Sequence, residues 1–321
     1  MKKVFILVIV LLVFTIGCTS KKEKIIIYSS NEEAVDQMLK EKFDKKFKDF
    51  DVVIQYYSTG NNAAKIKSEG EKTEADIVIG LETAQLQGLT DNFETLDYID
   101  KSVYNENVNP DNNKYVIDVQ YSASVIVDKS YFKKHNLDMP TSYKDLLNPK
   151  FENLIAIPNP KTSGTGYMFY LNAINVMGEK KALEYFKKLE NNVFKYTESG
   201  SGPLSLLKQG EVPIAVGLTY QAVQENNNGA DYEIIELDTG ALYNSCGAAI
   251  IKGKANEHVK EVFQYYVSYL IKDIVEQYSP SNILKNVNGK VKGYPEIKKL
   301  ADMTGIYDNN VKQKYLKLWE Y

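Results

Sequence analysis

The feature that most constrains this chain is an alternation of short β-branched runs with polar turns and amphipathic stretches. The run "KIIIYSS" ends on Ser29-Ser30, and "EEAVDQMLKEKFDKKF" then carries Val35, Met38, Leu39 and Phe43 at helical spacing. That order predicts a strand, a turn and a helix. It returns where "DVVIQYYSTGNN" leads into "AAKIKSEGEK", and where "ADIVIGLETAQL" runs from an apolar strand into a turn. Strands alternating with helices predict βαβ units, a parallel sheet and right-handed crossovers. A chain of roughly 300 residues lies at the size where a single core usually splits into two.

The break between the two halves has a sequence signature. Residues 91–114 are rich in Asn and Asp and read as irregular surface. The run that follows, "YVIDVQYSASVIVDKSYF", is longer than one ordinary strand needs, which suits a segment passing between two domains. A second alternation comes next: "TSYKDLLN", "NLIAIPNP", a helix after Thr165 carrying Tyr170, Ile174 and Met177, "EKKALEYFKKLENNV", "FKYTESGSGPLSLLKQG" and "VPIAVGLTYQAV". In "YEIIELDTGALYNSCGAAIIKG" two apolar runs flank a polar break, a further candidate crossing, and "NEHVKEVFQYYVSYLIK" places Val259, Val262, Phe263 and Tyr266 on one helical face. Two α/β lobes joined by such crossings collect strand carboxyl ends, and with them helix N-termini, in the cleft between them.

At the N-terminus Lys2-Lys3 precede an apolar stretch from Val4 to Phe14, closed by "TIGC" at Cys18. Eleven apolar residues are too few for a membrane-spanning helix, so residues 1–17 read as a secretion signal. Residues 18–24 read as a polar tether. Losing Lys2 and Lys3 leaves 37 basic residues against 42 acidic ones, a balance that gives no basic patch for nucleic acid. Apart from Cys18 only Cys246 remains, so no disulfide framework is expected, and Cys246 reads as a small buried residue.

The chain contains no arginine, and its histidines, His135 and His258, stand in polar surroundings that read as surface helix. Bidentate guanidinium clamps on an anion are therefore excluded. Backbone N–H groups, hydroxyls, lysines and helix ends remain. Four turns offer them: Ser29-Ser30, Thr59-Gly60-Asn61, Ser163-Gly164-Thr165-Gly166 and Ser199-Gly200-Ser201-Gly202. Each combines hydroxyls or glycines with a helix start, which suits either plain capping or an anion site. Glu82, directly after "DIVIGL", reads either as the partner of a ligand ammonium or hydroxyl or as a carboxylate at a helix start. Adjacent Tyr56-Tyr57 should point to opposite faces of a strand and read as packing. A hydrolase using Ser163 or Ser201 is disfavoured, because no G-x-S-x-G elbow or serine-linked histidine occurs.

The lipobox-like "TIGC", "IIIYSSNEEAV", "ADIVIGLE", "IPNPKTSGTGY", "GSGPLSLLKQGEVPIAVG" and "AAIIKG", in that order, resemble extracellular solute-binding proteins of ATP-binding-cassette importers. The similar branch includes ferric-iron, thiamine, phosphonate and sugar-phosphate binders. The resemblance implies an α/β, two-lobed type II periplasmic-binding-protein fold, with residues 25–118 plus 245–285 as one lobe and 119–244 plus 286–321 as the other. Segments 118–127 and 239–247 would serve as the hinge. It implies acylation of Cys18, a monomer at the cell envelope on a periplasmic or extracytoplasmic membrane face, and delivery of a small molecule to a permease and ATPase complex. It implies no cofactor and no chemical step.

Carried onto this sequence, the resemblance makes Ser163, Gly164 and Thr165 ligand contacts, with Ser199, Ser201 and Tyr220 beside them and Ser29, Ser30, Thr59, Gly60 and Glu82 on the first lobe. The ligand expected is a phosphonate or phosphorylated molecule; an aminoalkylphosphonate would satisfy both Glu82 and the Ser-Gly-Thr-Gly loop. The iron-binding members usually hold two adjacent tyrosines where this chain has Thr219-Tyr220, a departure that weakens the iron alternative. Tyr28, Tyr121, Tyr220, Tyr243 and Glu82 would then be its oxygen ligands. A thiamine or polyamine binder is the remaining alternative, requiring an aromatic box or more acids.

Overall fold

Val, Ile and Tyr fill the strand β1 (Lys24–Ser29), which runs into helix α1 (Glu33–Lys46), strand β2 (Asp51–Tyr56), helix α2 (Thr59–Glu69) and strand β3 (Ile77–Glu82). The order β2-β1-β3 is parallel throughout, and α1 buries Val35, Leu39 and Phe43 as their spacing predicts. The computed structural model describes residues 22–106, 108–110, 112–287 and 289–321; the leader and Cys18 lie outside the described residues.

A short helix α3 (Thr83–Gly88) and an irregular stretch lead to the 13-residue strand β4 (Val116–Asp128) and helix α4 (Lys129–His135). The second half then builds β5 (Ile155–Pro158), α5 (Gly164–Met177), α6 (Glu179–Leu189), β6 (Val193–Thr197), α7 (Gly202–Lys208), β7 (Ile214–Leu218) and α8 (Thr219–Asn227). Strands β8 (Tyr232–Ile235) and β9 (Leu242–Ile250) follow, then α9 (Glu257–Tyr265), a π-helical turn over Tyr266–Leu270, α10 (Ile271–Gln277) and α11 (Asn309–Leu316). The segment "TSYKDLLN" forms only a 3-10 turn, Asp145–Leu147, where more regular structure was expected.

The strands make one path, β2-β1-β3-β9-β4-β7-β5-β6, with β8 on β4. The expected parallel pairing holds at both ends, β2-β1-β3 and β7-β5-β6, but the centre is antiparallel. The long strands β4 and β9 return through the middle and reverse the direction there. Two large hydrophobic cores sit on either side of this crossing. One draws on residues 25–119 and 246–284, the other on 123–242 and 301–319.

The crossing carries two irregularities that face each other. The β3/β9 register shifts between Val78 and Leu81, where Gly80 has φ +65°, and the β4/β9 register shifts between Ile117 and Val119. Gly80 thereby loses a ladder partner, and its N–H donates to Asp118 Oδ2 at 2.8 Å. The Tyr266 hydroxyl donates to the same oxygen at 2.9 Å, which pins the π-helical turn to the crossing strand.

Candidate functional site

A cavity lies between the two cores, and the turns that wall it leave the carboxyl ends of strands, where a parallel sheet directs helix N-termini. From the first half come Ser30 to Glu32 after β1, Tyr56, Ser58 and Thr59 at the end of β2, and Gly80. From the second half come Ser163 to Thr165 after β5, Ser199 and Gly200 after β6, and Leu218 and Tyr220 after β7. The crossing strands supply Val119, Tyr121 and Cys246, and the end of α10 supplies Ile274, Tyr278 and Ser279. The cavity has a volume of about 80 Å³, room for one small molecule and not for a peptide.

Helices α2 and α5 meet the cavity with their first turns. Ser163 caps α5, its Oγ accepting from Gly166 N–H at 3.4 Å, and this leaves the N–H groups of Gly164 and Thr165 as the unpaired first-turn donors. Ser58 stands at the N-cap of α2, yet its hydroxyl makes no capping bond. That Oγ is buried and has no hydrogen-bond partner, an unsatisfied donor at the cavity wall. Thr59 Oγ1 accepts from Glu82 N–H at 3.2 Å. The two helix ends touch through backbone, because Gly60 N–H donates to Thr162 O at 3.0 Å.

The cavity lining contains no lysine, so helix ends and hydroxyls supply its positive potential. Its acid is Glu32, whose carboxyl burial pushes up to about 7, with a hydrogen bond from Ser201 acting in the opposite direction. Behind it burial pushes Asp36 up to about 7 as well, against hydrogen bonds from Ser29 and Asn31 and with a further rise from the nearby Glu32 charge. No cation is among the groups acting on either carboxyl. Burial, with the Glu32 charge next, raises the Tyr220 phenol far above its usual range, and burial does the same to Tyr121.

Of the residues singled out in the sequence, Ser30, Thr59, Ser163, Gly164, Thr165, Ser199 and Tyr220 are brought together in the lining. Ser29 is not: its Oγ donates to Asp36 at 2.7 Å and accepts from Asn31 N–H at 3.1 Å, fixing the turn behind the wall. Gly60 meets the opposite loop through its backbone, and Ser201 stands at the outer rim with its Oγ 3.0 Å from Ser199 Oγ. Glu82 stands at the N-cap of α3, as its helix-start reading expected, but its side chain makes no capping bond and lies outside the lining. Its carboxylate is buried, paired with Lys312, and accepts from Asn244 Nδ2 at 2.7 Å.

The tyrosines divide similarly. Tyr121 and Tyr220 line the cavity, whereas Tyr28 lies under α2 with its ring edge against Tyr57, and Tyr243 packs on the second core. Of the five oxygen ligands named for iron, Tyr28, Tyr121, Tyr220, Tyr243 and Glu82, only Tyr121 and Tyr220 line the cavity. Tyr56 corrects the packing reading of its pair: alternation holds, but Tyr56 faces the cavity while Tyr57 packs. Glu32, Ser58 and Tyr278 were not singled out. A carboxylate at the start of α1, at the carboxyl end of β1, was the available signal for Glu32, and it reads equally as a helix-start acid. His135 stacks on Tyr131 and His258 bonds Glu23, both at the surface, and Cys246 is buried and free.

Residues 72–303 match the family model for bacterial extracellular solute-binding proteins. An uncharacterised protein of Haemophilus influenzae is 26% identical over 251 residues, covering 75% of this chain and 71% of that one. The solved periplasmic binding protein P5PA is 25% identical with a TM-score of 0.79, covering 93% of this chain and 98% of its own. The periplasmic binding protein AfuA from Actinobacillus pleuropneumoniae, solved with fructose-6-phosphate bound, is 22% identical with a TM-score of 0.74 over 93% and 98% of the two chains. Iron-bound HitA from Pseudomonas aeruginosa (15%, TM-score 0.73, 92% and 98% covered) and a periplasmic thiamin binding protein (16%, 0.77, 93% and 96%) share the fold, which thus serves chemically different ligands.

Proposed function

The chain belongs to the family of bacterial extracellular solute-binding proteins and acts as the solute-binding component of an ABC importer, and from that premise we propose that its ligand is a small oxyanion-bearing molecule, a phosphonate or a phosphorylated compound. The protein is a binding protein and not an enzyme, it works outside the cytoplasm, and it hands its solute to a membrane permease. No described helix is long and apolar enough to cross a membrane. Acylation of Cys18, with residues 18–24 as tether, is the anchor in this reading, and the working unit is a monomer. The lobes are residues 25–118 with 245–285 and 119–244 with 286–321, a division supported by the two hydrophobic cores.

One observation carries the ligand class: two helix N-termini face one cavity with spare donors and without a lysine. The donors are the N–H groups of Gly164 and Thr165, the Thr165 hydroxyl and the unpartnered Ser58 hydroxyl. A hydrogen bond to a charged group contributes about 1.5–3 kcal/mol, so four of them are of the order required for micromolar binding without any cation. The sugar phosphate bound to AfuA supports the same class. Iron would find only Tyr121 and Tyr220 in the lining from its proposed set.

Calorimetric titration with an alkylphosphonate, fructose-6-phosphate, Fe(III) and thiamine tests this reading, with small-angle scattering to follow closure. A phosphorus-containing probe is expected to bind and to compact the protein, and Thr165→Glu, which adds bulk and like charge at the cradle, is expected to abolish both effects. Binding of Fe(III) or thiamine alone, or an anion that binds Thr165→Glu as well as the wild type, refutes it.

A further inference from the structure

We propose that Glu32 is the specificity-determining residue of this cavity and that it takes a protonated amine, so that the ligand is a short zwitterion carrying its oxyanion at one end and its ammonium at the other. The inference rests on the oxyanion reading above and adds the second half of the molecule. It begins from a mismatch of charge. Helices α2 and α5 offer donors to an anion, yet a carboxylate opens onto the same cavity with no lysine beside it. The groups around Glu32 are Ser201, Tyr56, Tyr220 and Asp36; none is a cation, and Asp36 adds to the negative charge. Lys40, which shares the outer groove with Glu32 and Asp36, is already paired with Asp44, and Lys208 is paired with Glu225.

The separation is short. A Cβ on Gly200 would press on Thr165 Oγ1 and would stand 3.5 Å from Glu32 Oε1, so the hydroxyl of the anion cradle and the carboxylate flank one glycine. An oxyanion held at Thr165 lies close to Glu32, and in a closed cavity the two negative charges repel unless something positive stands between them. A ligand ammonium two or three bonds from the oxyanion fills that place. Tyr56, Tyr220 and Tyr278 wall the same end, and aromatic faces favour a cation further. Gly200 is required at this point, because any side chain would occupy the gap that both charges share.

The experiment compares 2-aminoethylphosphonate with propylphosphonate, its isostere lacking the charge, by calorimetry at pH 8 on the wild type and on Glu32→Gln. The wild type is expected to prefer the amine at least tenfold, and Glu32→Gln is expected to bring the two probes within twofold, with propylphosphonate binding more tightly than before. If the wild type binds both probes equally, or Glu32→Gln keeps the preference, the role of Glu32 is wrong while the oxyanion reading stands. If neither probe binds the wild type at millimolar concentration while fructose-6-phosphate does, the short-zwitterion inference fails and the oxyanion reading stands; if fructose-6-phosphate does not bind either, both fall. A melting curve of Glu32→Gln equal to or above the wild type separates these outcomes from misfolding.

Discussion

Lys312 of α11 and Glu82 at the end of β3 form an ion pair with both side chains almost wholly buried, and the lysine ammonium lies 4.3 Å from the centroid of the Tyr167 ring. Such a pair returns little net stability, because desolvating two charges offsets their attraction, but removing one partner strands the other. Lys312→Met is therefore expected to cost about 3–5 kcal/mol in denaturant unfolding, and the double variant Glu82→Gln/Lys312→Met clearly less. Equal losses in the two variants would mean that the pair acts only by filling space. The pair also keeps Glu82 harmless to an anion. A Cβ on Gly164 would lie 2.7 Å from Glu82 Cδ and 2.7 Å from the Tyr121 oxygen, so this carboxylate stands directly behind the α5 N-terminus, neutralised by Lys312. Two carboxylates flank the proposed anion cradle, and they differ in one respect: Glu82 has its cation in the protein and Glu32 does not.

Among the elements, α2 and the loop before α5 decide how closely the two halves approach. Gly60 in the first turn of α2 donates to Thr162 O, and a Cβ there would press on Lys161 O and come within 3.0 Å of Thr162 Cα. Both obstacles are backbone, so they do not yield as a flexible side chain would. Gly60→Ala is therefore expected to force the two halves apart at this point, a cost that opposes the roughly 1 kcal/mol by which alanine favours a helix over glycine. It should weaken ligand binding at least tenfold and suppress compaction in scattering; unchanged compaction would show that this contact does not limit closure. The paired bulges at Gly80 and Asp118 work on the other side of the crossing. Asp118 is buried, its carboxyl pushed up to about 6 by burial against bonds from Gly80 N–H and the Tyr266 hydroxyl, and it ties β3, β4 and the π-helical turn at one point.

For the whole molecule, two cores sit on one crossing pair of strands, β4 and β9, and each half has its own packing. Three raised carboxyls, Glu32 and Asp36 at about 7 and Asp118 at about 6, give its stability a pH dependence. A carboxyl held above its ordinary value binds more protons folded than unfolded, so its contribution is complete below the ordinary value and is lost as pH rises through the folded one. The unliganded protein is thus expected to melt at a lower temperature at pH 8 than at pH 5. Replacing Glu32 by Gln and Asp36 by Asn should flatten the change, and a slope that persists in that variant would assign it elsewhere. Much of this architecture was legible in the chain. Alternating runs at period 2 and 3.6 determined β1-α1-β2-α2-β3 and the second alternation from β5 to α8, because burial of one face acts over neighbouring residues. The Ser-Gly-Thr-Gly turn at 163–166 was legible for the same local reason: a strand end, a glycine and a capping hydroxyl lie within a few residues. Tertiary structure alone decided which turns meet and how each charge is paired. Glu32 and Glu82 look alike in sequence, each an acid at a strand end before a helix, and only the return of α11, 230 residues beyond Glu82, gives one of them a lysine. Electrostatic pairing and cavity lining depend on distances across the fold, which no local pattern encodes.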